Sequence, residues 1–257
     1  MRILAIGDVV GKPGRQTVAR VLPQLRRERE YALVVCNGEN AAGGNGLTRA
    51  VAEELRDAGC DVLTNGNHVW DQRQFIEEIK DLDYCLRPLN LDADAPGRGW
   101  LVCNGVMVAN AIGRVFMAEA ENPYRAVERL LATLGRDAPR VRILDWHAEA
   151  TSEKVAMGYF LDGRVSAVVG THTHVPTADA RILANGTAVV SDIGMVGPRD
   201  SVLGLSPDEI VARFRDGLPR RFRVAEGPVQ FNAVEIDVDE ATGRARTIAR
   251  VDRLVDA

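Results

Sequence analysis

A chain of 257 residues with 46% hydrophobic and 26% charged side chains is long and apolar enough for one large α/β domain with a substantial core, which argues against disorder. We expect a single domain over residues 1–257. The formal net charge of −4 gives no general attraction for nucleic acid, so any polyanion must be gripped locally. Cys36, Cys60, Cys85 and Cys103 are dispersed without C-x-x-C spacing, which speaks against a zinc knuckle or a dithiol redox centre. The opening MRILAIGDVVG lacks a charged n-region and cleavage site, and no apolar run approaches the roughly 20 residues of a membrane span. The expectation is a cytoplasmic protein with no membrane association.

The first half alternates apolar runs with helical patterns. A strand over Arg2–Gly7 precedes a helix near Arg15–Arg29, then strand Ala32–Cys36, a helix near Thr48–Ala58, strand Asp61–Thr64 and a helix near Gln72–Lys80. Val18, Val21, Leu22 and Leu25 fall at helical spacing, as do Val51, Leu55 and Ala58, so each helix should bury one face on a sheet. Trp100–Val102 and Val106–Ile112 predict a hairpin turning at Asn104-Gly105. A helix follows with Val127, Leu130, Leu131 and Leu134 on one side, then strand Val141–Leu144, a helix near Ser152–Phe160 and strand Val165–Val169. The last third is β in character at Arg181–Leu183, Thr187–Val190, Val229–Val238 and Arg244–Val251. Mixed sheets covered by helices fit this order. No repeat or low-complexity linker divides it.

The apolar runs end in polar groups. ILAIGD delivers Asp8, LVVCNGEN delivers Glu39 and Asn40, VLTNGNH delivers Asn67 and His68, RILDWH delivers His147, and AVVGTHTH delivers His172 and His174. In open α/β sheets, sites form beyond the carboxyl ends of strands, where loops vary on a rigid support. Gly7, Gly38, Gly66 and Gly170 suit sharp exit turns. Asp, Glu, Asn and His without thiolate favour borderline or hard ions such as Mn, Fe or Zn. One ion would be over-served by so many groups, whereas two ions sharing a carboxylate could clamp both oxygens of a phosphoester. Each residue has a plainer reading: Asp8 as a helix cap, Asn67 as a turn former, His147 as a hydrogen-bonded core residue. A regular strand would point His172 and His174 to opposite faces, but a loop can turn both inward.

These blocks resemble the calcineurin-like metallophosphoesterases, whose pattern runs D-x-H, G-D, G-N-H-[DE], a lone His and G-H-x-H. Here they read Gly7-Asp8, Gly38-Glu39-Asn40, Gly66-Asn67-His68, His147 and Thr171-His172-Thr173-His174, in the same order. Val10 stands where the first-block His is usual, and Glu39 replaces the usual bridging Asp. With GDVVGKPGR, CNGENAAGGNGLT, TNGNHVWD, GTHTHVPTAD, SDIGMVGP and GLPRRF-VAEG, the chain is similar to the bacterial YmdB-type branch over nearly its whole length.

That resemblance implies an α/β fold: a four-layer α/β/β/α sandwich of two mixed sheets, of the metallo-dependent phosphatase type. It implies a dinuclear centre and phosphodiesterase activity on small nucleotide phosphodiesters, notably 2′,3′-cyclic nucleotides. By the same resemblance Asp8, Glu39, Asn40 and His174 would hold one ion, and Glu39, Asn67, His147 and His172 the other, with Glu39 bridging. Iron or manganese is expected, with zinc as the alternative. A hydroxide between the ions would attack phosphorus, and His68, left over from metal binding, would serve as general acid to the departing ribose oxygen. Val69 follows His68 where such families often carry an orienting acid. Asp71 is a substitute orienter, but it reads equally as an exposed acid at a helix start, so it stays outside the catalytic group.

Gly43-Gly44-Asn45-Gly46 either offers backbone N–H groups to phosphate or forms a turn behind the metal loop. Arg213-Phe214-Arg215 and Arg220-Arg221-Phe222-Arg223 read as a solvated rim, with no dedicated nucleic-acid surface expected. Asp192 and Gly194 are candidates to support the site from behind. Two alternatives stay open: a metal-dependent nuclease acting on RNA or DNA, and a regulatory protein with a structural metal centre. A homo-oligomer is compatible with the sequence.

Overall fold

The structure is a computed structural model and describes residues 1–117, 119–135 and 137–256. The chain begins β1 (Arg2–Ile6), β2 (Asp8–Val9), α1 (Gly11–Glu28), β3 (Leu33–Asn37), α2 (Arg49–Asp57), β4 (Val62–Thr64) and α3 (Phe75–Glu78). The expected hairpin follows as β5 (Trp100–Cys103) and β6 (Val106–Ile112), then α4 (Pro123–Thr133), β7 (Val141–His147), α5 (Thr151–Phe160) and β8 (Ala167–Thr171). The remainder comprises β9 (Arg181–Ile182), β10 (Ala188–Val190), β11 (Met195–Pro198), α6 (Pro207–Asp216), β12 (Val229–Phe231), β13 (Ala233–Val238), β14 (Ala245–Arg250) and β15 (Arg253–Val255).

Two sheets face each other. One has the order β14-β13-β1-β3-β4, with β1, β3 and β4 parallel; the other has the order β5-β6-β7-β8-β10-β9, with β6, β7, β8 and β10 parallel. Alternation along the strands decides which layer each side chain enters. Ile3, Ala5, Leu33 and Val35 pack toward the second sheet with Val106, Val108, Ile143 and Val169. Leu4, Ile6, Val34 and Cys36 pack the other way, onto Val18, Leu22 and Leu25 of α1 and Leu55 of α2. On the far side of the second sheet, Met107, Ala109, Leu144 and Trp146 meet Val127 and Leu130 of α4 and Met157 of α5. Three apolar interfaces thus separate four layers, the expected α/β/β/α sandwich.

The first sheet carries one refinement. Past Gly7 and Asn232 its strands continue as β2 and β12, but β11 is wedged between them, giving a separate four-stranded sheet β15-β12-β11-β2. This is why the strand expected over Val229–Val238 breaks at Asn232, whose carbonyl accepts from the Gly7 N–H at 3.0 Å. The helix expected near Gln72–Lys80 contracts to α3 and a 3-10 turn over Ile79–Asp81. Turns closed by Val69 N–H to Gly66 O and Asp71 N–H to His68 O occupy the chain before it. The first helix starts at Gly11, four positions before its expected start, so Asp8 lies in β2 and Val10 takes the N-cap position without a side-chain cap bond.

The strand-end glycines have a different cause from the one the sequence suggests. Gly7, Gly38, Gly66 and Gly170 are not in the left-handed region. Instead a Cβ at Gly170 would lie 1.7 Å from Ser191 O, and one at Gly7 would lie 2.0 Å from Gly194 O. Backbone is packed against backbone there, with no room for a methyl group. Gly38 has only ordinary contacts, the nearest at 3.5 Å. Gly170→Ala is therefore expected to destabilise by about 2–3 kcal/mol or more and Gly38→Ala by less than about 1 kcal/mol, as read by chemical denaturation.

Candidate active site at the paired sheet edges

The carboxyl ends of both parallel strand sets open on one cleft of about 260 Å³, lined by Val10, Glu39, Asn40, His68, Glu149, His172, His174 and Leu203 among others. The first sheet contributes Asp8 beyond β1, Glu39 and Asn40 beyond β3, and Asn67 and His68 beyond β4. The second contributes His147 at the end of β7, and His172 and His174 beyond β8. A larger groove of about 550 Å³ is lined by Arg56, Tyr84, Trp100 and Cys103 but holds none of these residues. Chemistry, not size, marks the site.

At the centre is the fully buried His147. Its Nε2 lies 3.0 Å from Glu39 Oε1, 3.1 Å from Asn67 Oδ1 and 3.0 Å from His172 Nδ1. Its other nitrogen, Nδ1, lies 3.0 Å from Thr171 Oγ1, whose hydroxyl donates to Asp145 Oδ1 at 2.6 Å. With that hydroxyl proton committed to a carboxylate, Thr171 presents a lone pair to Nδ1, which must donate. A neutral His147 then directs its Nε2 lone pair at the oxygens of Glu39 and Asn67, with His172 Nδ1 beside them. Glu39, His147 and His172 each offer a ligand atom, all within 4.8 Å of one another, close enough to hold one ion.

Beside this group, Asp8 Oδ1 is buried with no hydrogen-bond partner among the described residues, 3.8 Å from His174 Nε2. Asp8 Oδ2 accepts from the His172 N–H at 3.1 Å. Asn40 Nδ2 lies 3.1 Å from His174 Nε2 and 3.3 Å from Glu39 Oε1. Ligation through Asn40 would require the half-turn of its amide that brings Oδ1 inward. An orphaned carboxylate oxygen and converging lone pairs are costly in a buried site unless a cation meets them. The donor set, oxygen and imidazole without thiolate, therefore fits hard or borderline divalent ions. Val10 is buried among Gly197 and Gly204 and walls the cleft where the related pattern has histidine.

The electrostatics reflect the same crowding. Burial alone would raise Glu39 and lower His147, but their contact at 3.0 Å overrides it, placing Glu39 at about 2 and His147 at about 9. Burial raises Asp8 to about 6 despite His174 and His147. Burial, then His147, holds His172 down at about 3.

The His172–His174 turn is strained, with φ of 101° and 63° at non-glycine residues. Each such position costs about 1–3 kcal/mol and persists only where the surroundings impose it. Here the imposing group is a buried ion pair. Lys154 Nζ donates to Thr171 O and lies 2.8 Å from Asp192 Oδ2, which also accepts the Thr173 N–H at 3.0 Å. Asp192, whose part the sequence leaves open, thus lies behind the His172–His174 turn, and Lys154 belongs to an ordinary helical pattern.

His68 sits at the rim, its Nδ1 2.8 Å from Asp71 Oδ2. Asp71, left outside the catalytic group on sequence, is therefore the partner of His68. In the Gly43–Gly46 segment the N–H groups of Gly43 and Gly44 bond to Ala41 O and Asn40 O in a turn, and Gly44 and Asn45 line the cleft. Arg220 and Arg223 pair with Asp216 and Glu209, and among the described residues no helix is long and apolar enough to cross a membrane.

Sheets of this order with a polar site between their carboxyl edges define the metallophosphoesterase type of fold. The YmdB-like protein family model matches residues 4–251. The chain is 45% identical over 255 residues to the 2′,3′-cyclic-nucleotide 2′-phosphodiesterase of Bacillus subtilis, covering 98% of this chain and 96% of that one. Two crystal structures superpose with a TM-score of 0.93: a hypothetical protein from Thermus thermophilus, 40% identical, covering 99% of this chain and all (100%) of that one, and a novel phosphatase from Mycoplasma pneumoniae, 34% identical, covering 100% and 94%. The chain belongs to the YmdB-like family and is an enzyme of the phosphodiesterase class.

The His147–Glu39 pair makes stability of the metal-free protein depend on pH. A histidine raised from 6.5 to about 9 stabilises fully below the unfolded value and loses that contribution as pH rises through the folded one. The thermal midpoint of chelator-treated protein is expected to fall between about pH 6.5 and about pH 9, and His147→Gln should flatten that decline.

Proposed function

We propose that this enzyme hydrolyses small phosphodiesters, 2′,3′-cyclic nucleotides foremost, at a two-metal centre. The observation that carries the reading is the convergence on His147 Nε2 of Glu39, Asn67 and His172, next to the unpartnered Asp8 oxygen. Glu39, Asn67, His147 and His172 would hold one ion and Asp8, Glu39, Asn40 and His174 the other, with Glu39 shared. Iron or manganese suits this donor set, with zinc as the alternative. When bound, such ions neutralise phosphate charge and lower the pKa of water at the site.

The chain's own residues supply the rest. His68 lines the cleft, half-buried, with Asp71 fixing its Nδ1, so its Nε2 is left to pass a proton to the departing ribose oxygen. The His68 N–H also donates to Glu39 Oε2 at 3.1 Å, tying the acid to the shared carboxylate. Leu203 and Leu205 line the same cleft as His68 and Glu149, apolar groups that suit the face of a nucleobase. The 45% identity with a 2′,3′-cyclic-nucleotide 2′-phosphodiesterase supports the substrate class.

The test is hydrolysis of 2′,3′-cyclic AMP, 3′,5′-cyclic AMP, a simple diester and single-stranded RNA, with metal content measured on the same sample. Turnover of RNA alone would overturn the small-substrate reading. His68→Ala should keep both ions and lose about 10²-fold or more in kcat, and Asp71→Asn about 10-fold. Release of metal by His68→Ala, with normal turnover in the fraction that retains it, would show that His68 is a ligand instead.

A further inference from the structure

Each of the four histidines has one ring nitrogen tied to an oxygen outside the central group. His147 Nδ1 faces Thr171 Oγ1, His174 Nδ1 lies 3.0 Å from Leu203 O, and His68 Nδ1 faces Asp71. His172 is the exception in two respects. It turns Nδ1 inward, 3.0 Å from His147 Nε2, and its outward nitrogen, Nε2, lies 3.0 Å from Glu149 Oε2. Glu149 is half-exposed on the cleft wall, two residues beyond His147 on the same strand exit. One strand end thus delivers a central imidazole and the anchor for its neighbour.

We propose that Glu149 is a positioning residue that fixes the tautomer and rotation of His172 so that Nδ1 faces the metal group. An ionised carboxylate can only accept, so the single proton of a neutral His172 is drawn to Nε2 and Nδ1 keeps its lone pair. The strained backbone at this residue sets the ring's attachment without setting which nitrogen carries the proton. Partners of this kind hold a ligand's orientation and basicity, and their loss lowers metal affinity by about 10–100-fold. The inference rests on the two-metal reading above.

The experiment compares wild type, Glu149→Ala and Glu149→Gln by equilibrium competition with a chelator for Mn²⁺, and by the visible absorption of Co²⁺-loaded protein. Glu149→Ala should lose one of the two ions at a chelator concentration about 10-fold lower or more, with an altered Co²⁺ spectrum and an unchanged melting temperature of the metal-free protein. Glu149→Gln, which keeps an acceptor oxygen, should restore most of the affinity and the spectrum. Wild-type affinity and spectrum in Glu149→Ala would overturn the proposal, whether or not KM rises. Equal loss in both variants would also overturn it, because the carboxylate charge itself would then be bound to metal. A wild type that takes up no metal would overturn the two-metal reading, and this inference with it.

Discussion

The site depends on a conflict of lone pairs at one buried atom. His147 Nδ1 is committed to Thr171, whose own proton goes to Asp145, so Nε2 faces the acceptor oxygens of Glu39 and Asn67 with His172 Nδ1 beside them. A buried cluster of this kind cannot persist without positive charge. In the metal-free protein that charge is a proton, which is why His147 is raised to about 9 against the pull of burial. The same proton is what a divalent ion must displace, so affinity for metal and loss of this proton are coupled.

The fold builds this conflict from two directions. Carboxylate and amide groups come from the first sheet, at Asp8, Glu39, Asn40 and Asn67, while the imidazoles grouped with them come from the second, at His147, His172 and His174. Neither sheet carries a complete site, and the apolar layer between them, with Ile3, Val35, Ile143 and Val169, sets the separation. Gly66 shows how little tolerance remains. A Cβ there would lie 2.2 Å from His147 Nε2 and 2.4 Å from Glu39 Oε2, so the strand of one sheet approaches the imidazole of the other as closely as backbone allows.

The strands and the site residues were legible because they repeat one motif, an apolar run ending in a ligand type, on five strands. What was hidden lacks that motif. β2 and β11 are short pieces paired across the wedge at Gly7, and local pattern cannot reveal a sheet that splits. α6 has Pro207 at its start, Asp208 and Glu209 in its first turn and Gly217 left-handed at its end, signals overshadowed by the arginines around it. Glu149, Asp145 and Lys154 are obscure for a different reason: an isolated acid or a lysine in a helix looks the same with or without the neighbour that the fold brings to it, whereas Asp71, three residues from His68, is visible as a candidate with two readings that sequence leaves open. Close backbone approach and sharp turning ask for the same residue, so sequence does not separate them at Gly7, Gly66 and Gly170, while Gly38 shows neither a close approach nor a left-handed backbone.

Val10 shows how one departure from the related pattern is accommodated. Its side chain packs against Gly197 and Gly204, where a Cβ on Gly204 would lie 2.7 Å from it, and it also lines the cleft. Asn40, adjacent to Glu39 and 3.1 Å from His174, could offer oxygen by an amide half-turn. At a two-metal centre an oxygen in place of an imidazole would make the Asp8 side harder than the His147 side, so the two ions would occupy chemically unequal positions.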